Sequence, residues 1–316
     1  MRLFYFLFIF LIISSCSGGS QSSNAEIEEN EEISFGQSCS PYQSNIGNGS
    51  TFYCTIVHDN IDREFYVYIG STYQNNSPLL FSLHGYTSRG LWNMNYTGFQ
   101  SIADDEGFIV IYPQGTLLPA TGQTHWNVGG WTTSSQTDDV GFINAVIGFI
   151  DDEYSLDYKR IYSTGMSNGG YMSYKLACDL SNRFAAIVSV TGSMTIETIS
   201  GCNPSHPTSI AQIHGLQDSV VSYYGNVWSK PIEEVMSYWA TYNNCKTDAD
   251  TSEISGNNNG GGVHHVYTEC DNQTSVELFL MTNMGHDWPN LANHDLEAST
   301  TVWNFLSKFN IDGLIQ

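Results

Sequence analysis

Positive charge is scarce in this chain. In 316 residues, 10 Lys+Arg face 32 Asp+Glu, a formal net charge of −22. A surface this acidic repels phosphate backbones and anionic lipid headgroups, which argues against a nucleic-acid partner. No C-x-x-C pair occurs, and the histidine doublet His264-His265 stands without neighbouring cysteines. The cysteines are therefore not expected to hold a metal, and no cofactor is expected. No internal repeat is present. The apolar run Leu3 to Ile13 is too short to span a bilayer.

What is present is enough for a sizeable core: 41% of residues are apolar and 13% aromatic. The length would permit two domains, but strand and helix patterns run without a break, so residues 34–316 read as one domain. The N-terminus sets the compartment. Met1-Arg2 followed by the short apolar run reads as a signal peptide over residues 1–15. Ile13-Ser14-Ser15-Cys16 has the form of a bacterial lipobox, with Cys16 as the lipidated residue. Residues 16–33 then form an acidic Ser/Gly tether too poor in apolar groups to fold. The expectation is export, with a lipid anchor at the bacterial surface or outer membrane, or secretion. The membrane is expected to be met only through that anchor. Six further cysteines, an even number, fit an oxidising space. The favoured pairing joins neighbours in sequence: Cys39–Cys54, Cys178–Cys202 and Cys245–Cys270, the last stapling a long loop from Lys246 to Glu269.

Hydrophobic patterning points to an α/β fold. Phe52–Val57 and Glu64–Ile69 read as opening antiparallel strands around the turn His58-Asp59-Asn60. Leu79–Leu83, Phe108–Tyr112, Arg160–Thr164, Phe184–Val190 and Val276–Met281 are continuous apolar runs, as expected of strands buried on both faces of a mostly parallel sheet, and Ser209 to Asp218 reads as a buried strand ending in a turn. Helices on both faces are predicted at Ser101–Glu106, Asp139–Tyr154, Gly170–Leu180, Lys230–Asn243 and His294–Phe309. Asp138 is expected to cap the second of these. The Asp138-Asp139 pair reads as capping and bracing rather than as chemistry.

One pentapeptide carries chemistry. Gly165-Met166-Ser167-Asn168-Gly169 is G-x-S-x-G between a strand and a helix, the arrangement that lifts a serine hydroxyl above a sheet on a sharp turn. The partners expected downstream are present in order. Asp218 ends the segment Ser209 to Asp218, and His286 follows the strand Val276–Met281. Ser167 is therefore the candidate nucleophile, His286 the general base, and Asp218 the group that orients the histidine. His214 reads as a packed histidine, and Asp287 is too close in sequence to His286 to face it. Two backbone amides are the candidate oxyanion donors: Asn168, after the nucleophile, and Tyr86, after Leu83-His84-Gly85. His84 reads as structural. Trp288, Trp131 and Trp126 are candidate substrate-binding aromatics in loops above the sheet; Trp92 feeds the same side.

Taken together, Leu83-His84-Gly85, Tyr112-Pro113-Gln114-Gly115, Asp138-Asp139-Val140-Gly141-Phe142, Gly165 to Gly170, Phe184-Ala185-Ala186, His214 to Asp218 and Gly285 to Pro289 resemble an α/β-hydrolase family. That family groups polyhydroxybutyrate depolymerases with feruloyl and acetyl-xylan esterases of carbohydrate esterase family 1 type, and the likeness covers roughly residues 50–309. It implies the same nucleophile, acid, base and oxyanion donors. It also implies a polymer-linked ester as substrate: a 3-hydroxyalkanoate polyester, or feruloyl or acetyl groups on polysaccharide. A peptidase resembling prolyl oligopeptidases, and a non-catalytic surface-binding homologue, are the alternative expectations.

Overall fold

The structure, a computed structural model, describes residues 39–256 and 260–316. The expected signal peptide 1–15, Cys16 and the tether 16–33 lie outside the described residues, and so does Asn257 to Asn259.

The chain opens with antiparallel strands β1 (Cys39–Pro41), β2 (Ser50–His58) and β3 (Ile61–Ile69). Asp59 and Asn60 both take positive φ, the left-handed pair that a two-residue hairpin needs. Then follow β4 (Ser77–Leu83), α1 (Gly90–Thr97), α2 (Phe99–Glu106) and β5 (Ile109–Pro113). A two-strand ladder of β6 (Thr116–Leu117) and β7 (Thr124–His125) precedes α3 (Asp139–Glu153) and β8 (Leu156–Met166). The chain continues through α4 (Asn168–Asp179), β9 (Ala186–Val190), α5 (Ile196–Gly201), β10 (Ser209–Gly215) and α6 (Ile232–Tyr242). It continues with β11 (Asp250–Ile254), β12 (Gly262–Tyr267), β13 (Val276–Met281), α7 (Leu291–His294) and α8 (Ala298–Leu306), and closes with the small antiparallel pair β14 (Phe309–Asn310) and β15 (Gly313–Leu314).

The main sheet has the order β1-β2-β3-β5-β4-β8-β9-β10-β13-β12-β11. From β5 to β13 every neighbouring pair is parallel. This mostly parallel α/β architecture is the expected one, and its strand residues alternate between two cores. Leu79, Phe81 and Leu83 pack with Phe142, Ile143, Met172 and Trp239 on one face. Leu80, Val110 and Tyr162 pack with Met94, Phe99 and Trp303 on the other.

The three disulfides join the expected neighbours, Cys39–Cys54, Cys178–Cys202 and Cys245–Cys270. Lys246 to Glu269 is not the long loop expected from sequence, because β11 and β12 extend the sheet there by antiparallel pairing. The four residues Asp250 to Glu253 are exposed, so an edge strand of this kind carries no apolar alternation to reveal it. The last long helix starts at Ala298 rather than His294, because Asp295 takes a left-handed conformation that ends α7.

Candidate active site

Ser167 sits where β8 meets α4. Its backbone is left-handed, with φ 55 and ψ −120, a conformation that costs a non-glycine residue on the order of 1–3 kcal/mol. Neighbours hold it there. The Ser167 amide donates to Val190 O at 2.8 Å, and Tyr171 N donates to Ser167 O at 3.0 Å. The flanking glycines are required by close approach: a Cβ on Gly165 would lie 2.4 Å from the Gly169 carbonyl carbon, and one on Gly169 would lie 2.2 Å from Leu83 O. The turn thus packs against the end of β4, and a Cβ on Gly85 would lie 3.5 Å from Ser167 Cβ. The Gly85-Tyr86 peptide is therefore beside the serine.

β10 and β13 are parallel neighbours, so the segments after them emerge at the same carboxyl edge as Ser167. There His286 Nδ1–H donates to Asp218 Oδ2 at 2.8 Å. The Asp218 side chain is fully buried, and its Oδ1 accepts from Val220 N and Val221 N at 2.9 and 2.8 Å. Burial alone would raise the Asp218 carboxyl, but the His286 bond and charge and the two amides outweigh it and hold it below its ordinary value. His286 is partly exposed, and Asp218 engages it through Nδ1, which leaves Nε2 as its other ring nitrogen.

His214 is buried, accepts from Gln212 Nε2 at Nδ1 and donates to Val221 O at 2.9 Å. Burial lowers it to about 4, so it is a neutral, packed histidine that supports the Asp218 turn. Asp287 turns away from His286: it accepts from Tyr96 Oη at 2.8 Å. Asp138 caps α3 by accepting from Gly141 N, while the buried Asp139 pairs with Arg63 at 2.7 Å and accepts from Asn127 N. Among the described residues no group of three His, Cys, Asp or Glu side chains is placed to hold a metal ion.

The loop after β4 is braced by β7, with Thr87 N donating to Thr124 O and Thr124 Oγ1 to Ser88 O. The Tyr86 hydroxyl meets Thr121 Oγ1 at 2.5 Å. His84 is buried. Its Nε2 accepts from Gly115 N at 2.9 Å, so its Nδ1–H is the donor to Gly85 O at 2.8 Å. Burial lowers it to about 4 and keeps it neutral.

Two of the three expected substrate-binding tryptophans face inward. Trp126 is 0% exposed, with its indole N–H on His84 O. Trp288 is 4% exposed, with its indole N–H on Ser299 Oγ and its ring edge-on to Phe99. Each satisfies its N–H inside the fold, so neither offers a face to a ligand. Trp131 remains partly exposed and packs edge-on against Tyr171. The open aromatic surface lies elsewhere. Trp92 (67% exposed) and Tyr96 (52%) stand one helical turn apart on α1 and, with Ser88 and Asn95, line a cavity of about 540 Å³. Tyr96 is fixed to the segment carrying His286 by its bond to Asp287. Sequence reasoning passed over Tyr96, although its spacing of four from Trp92 on a helix was the available signal. Trp228 and Tyr224, also exposed, were missed in the loop after Asp218.

This fold is shared with known hydrolases. Residues 92–203 match the family model of the prolyl oligopeptidase family. The chain is 28% identical over 252 residues to a bifunctional acetylxylan esterase/xylanase of Neocallimastix patriciarum, covering 79% of this chain and 34% of that protein. It is 31% identical over 254 residues to feruloyl esterase B of Piromyces equi (77% and 44%). It is 28% identical over 253 residues to probable feruloyl esterase C of Aspergillus flavus (79% and 85%). The chain thus spans about a third and under half of the length of the first two relatives. Among solved structures, an acetyl xylan esterase from Aspergillus awamori superposes with a TM-score of 0.58 at 17% identity, covering 80% of this chain and 99% of that one. An S-formylglutathione hydrolase from Agrobacterium tumefaciens gives 0.54 at 12% (84% and 94%). The chain has the α/β-hydrolase fold. In sequence it is similar to feruloyl and acetylxylan esterases.

Proposed function

We propose that the protein is a serine carboxyl-ester hydrolase acting on feruloyl or acetyl groups carried by polysaccharide. One observation carries the chemistry: Ser167 on a strained turn shares a sheet edge with the Asp218–His286 pair. Ser167 Oγ attacks the ester carbonyl carbon while His286 Nε2 takes its proton. The Tyr86 and Asn168 amides receive the oxyanion. The ester C–O bond breaks, the His286 proton passes to the leaving alcohol, and an acyl-serine remains. Water attacks that acyl carbon and gives a proton to His286; the acyl C–Oγ bond then breaks, His286 returns the proton to Ser167 Oγ, and the acid leaves.

The substrate reading rests on the relatives and on the open aromatic surface. Trp92 and Tyr96, on the helix that follows the loop carrying Tyr86, present exposed rings suited to a sugar or a phenolic acyl group. The acidic surface favours an uncharged polymer. Release of acid from methyl ferulate, acetylated xylan and 3-hydroxybutyrate oligomers at matched concentrations tests this. Ferulate or acetate release, lost in Ser167→Ala, is the expected result, whereas preference for the oligomers would make the protein a polyester depolymerase.

The prolyl oligopeptidase match favours a second reading, a serine peptidase. Hydrolysis of peptides in preference to every ester would establish it. We further propose that Cys16 carries the lipid anchor of an exported enzyme, a compartment that suits the three disulfides. Cys16→Ser is expected to move the protein from the membrane fraction to the soluble one; unchanged membrane association would remove the anchor.

A further inference from the structure

We propose that Trp126 and His84 are positioning residues that lock the two oxyanion amides, Tyr86 N–H and Asn168 N–H, into one hydrogen-bonded frame. The inference rests on the esterase reading above and goes beyond it.

The frame runs unbroken from one amide to the other. The Asn168 side chain is clamped at two points to the backbone of Trp126: Oδ1 accepts from Trp126 N at 2.6 Å, and Nδ2 donates to Trp126 O at 3.1 Å. The Trp126 indole N–H donates to His84 O at 2.9 Å, and the two rings pack with centroids 4.9 Å apart. The His84 ring then donates to Gly85 O at 2.8 Å. Asn168, Trp126 and His84 are each 0% exposed, so water does not compete for these bonds.

The geometry has a direct consequence for the site. Gly85 C=O and Tyr86 N–H belong to one planar trans peptide and point in opposite directions. A buried donor holding the carbonyl from below therefore aims the N–H outward, beside Ser167. The other amide belongs to the first residue of α4, where N–H groups have no partner within the helix. Clamping the Asn168 side chain fixes that residue. Catalysis by an oxyanion hole depends on donors already in place before charge develops. The frame also explains Gly115, whose N–H holds His84 and where a Cβ would lie 2.2 Å from His125 O.

Two variants test it: Trp126→Phe, which keeps a ring and removes the N–H to His84, and Asn168→Ala, which keeps the backbone amide and removes the clamp. Each is compared with the parent for kcat and KM on p-nitrophenyl acetate. Inhibition is measured with an aryl trifluoromethyl ketone, which forms a tetrahedral oxyanion, and with the product acid, which does not. The expected result is a kcat lower by roughly 10-fold in each variant, KM within about two-fold, and ketone affinity falling in step with kcat while acid affinity holds. The double variant is expected to lose less than the product of the two losses. A variant that keeps parental kcat, or that loses ketone and acid affinity equally, overturns the frame. A parent that hydrolyses no ester and binds no ketone overturns the esterase reading and the frame with it.

Discussion

At the residue scale the account stands on Ser167, His286 and Asp218. Ser167→Ala is expected to lower kcat by about 10⁴-fold or more without unfolding the protein, measured by ester turnover alongside far-UV circular dichroism. Asp218→Asn keeps the shape but presents an N–H donor where the imidazole needs an acceptor, so a loss on the order of 10⁴-fold in kcat is expected. Gly169→Ala tests packing rather than chemistry. Its Cβ would collide with the backbone of Leu83, so the variant should lose both stability and activity, seen as a lower denaturation midpoint. An unaffected midpoint would mean that the elbow is looser than described. The turn at Ser167 and the Asp218–His286 bond were legible in the sequence, because G-x-S-x-G and a later acid and base follow a fixed chain order relative to strands. The tryptophans were not. A Gly-rich loop says that a ring lies near the site but not which way it faces. Trp126 and Trp288 face inward with their indole N–H groups bonded to His84 O and Ser299 Oγ, partners that the local sequence does not identify.

At the element scale, the parallel strands announced themselves as apolar runs because both faces of the sheet are covered. The hairpin of β11 and β12 did not, since an exposed edge strand is selected for polarity rather than for a pattern. That hairpin lies within the segment closed by Cys245–Cys270, a span of 25 residues. Replacing both cysteines by serine is expected to cost about 3 kcal/mol, read from urea midpoints. The packing of α2 against β3 offers a pH test. Asp104 on α2 accepts from Asn48 N, Tyr68 Oη and Ser71 N. Burial would raise its carboxyl, but these bonds prevail and lower it. Its stabilising contribution is therefore complete above the ordinary carboxylate value and lost as pH falls through the depressed one. Asp104→Asn should be less stable than the parent at neutral pH, and the gap between urea midpoints should narrow as pH falls through the depressed carboxyl value. A gap that persists unchanged would assign the loss to packing instead.

At the scale of the whole molecule, a net charge of −22 sets acidic surface groups against one another. Local ion pairs such as Lys159–Asp312, Lys175–Asp179 and Lys230–Glu234 already engage several of the few cations. The remaining repulsion is screened by salt. The melting temperature should therefore rise between low salt and about 0.5 M NaCl, where the Debye length is only a few ångströms; a fall would show that the ion pairs outweigh the repulsion. The central claim, that Ser167 is an activated nucleophile within an α/β-hydrolase site, is tested most directly by intact-protein mass spectrometry after exposure to a fluorophosphonate. The account predicts a single covalent adduct on Ser167, absent from Ser167→Ala and slowed in Asp218→Asn. An unmodified parent, or an adduct that persists in Ser167→Ala, would contradict it.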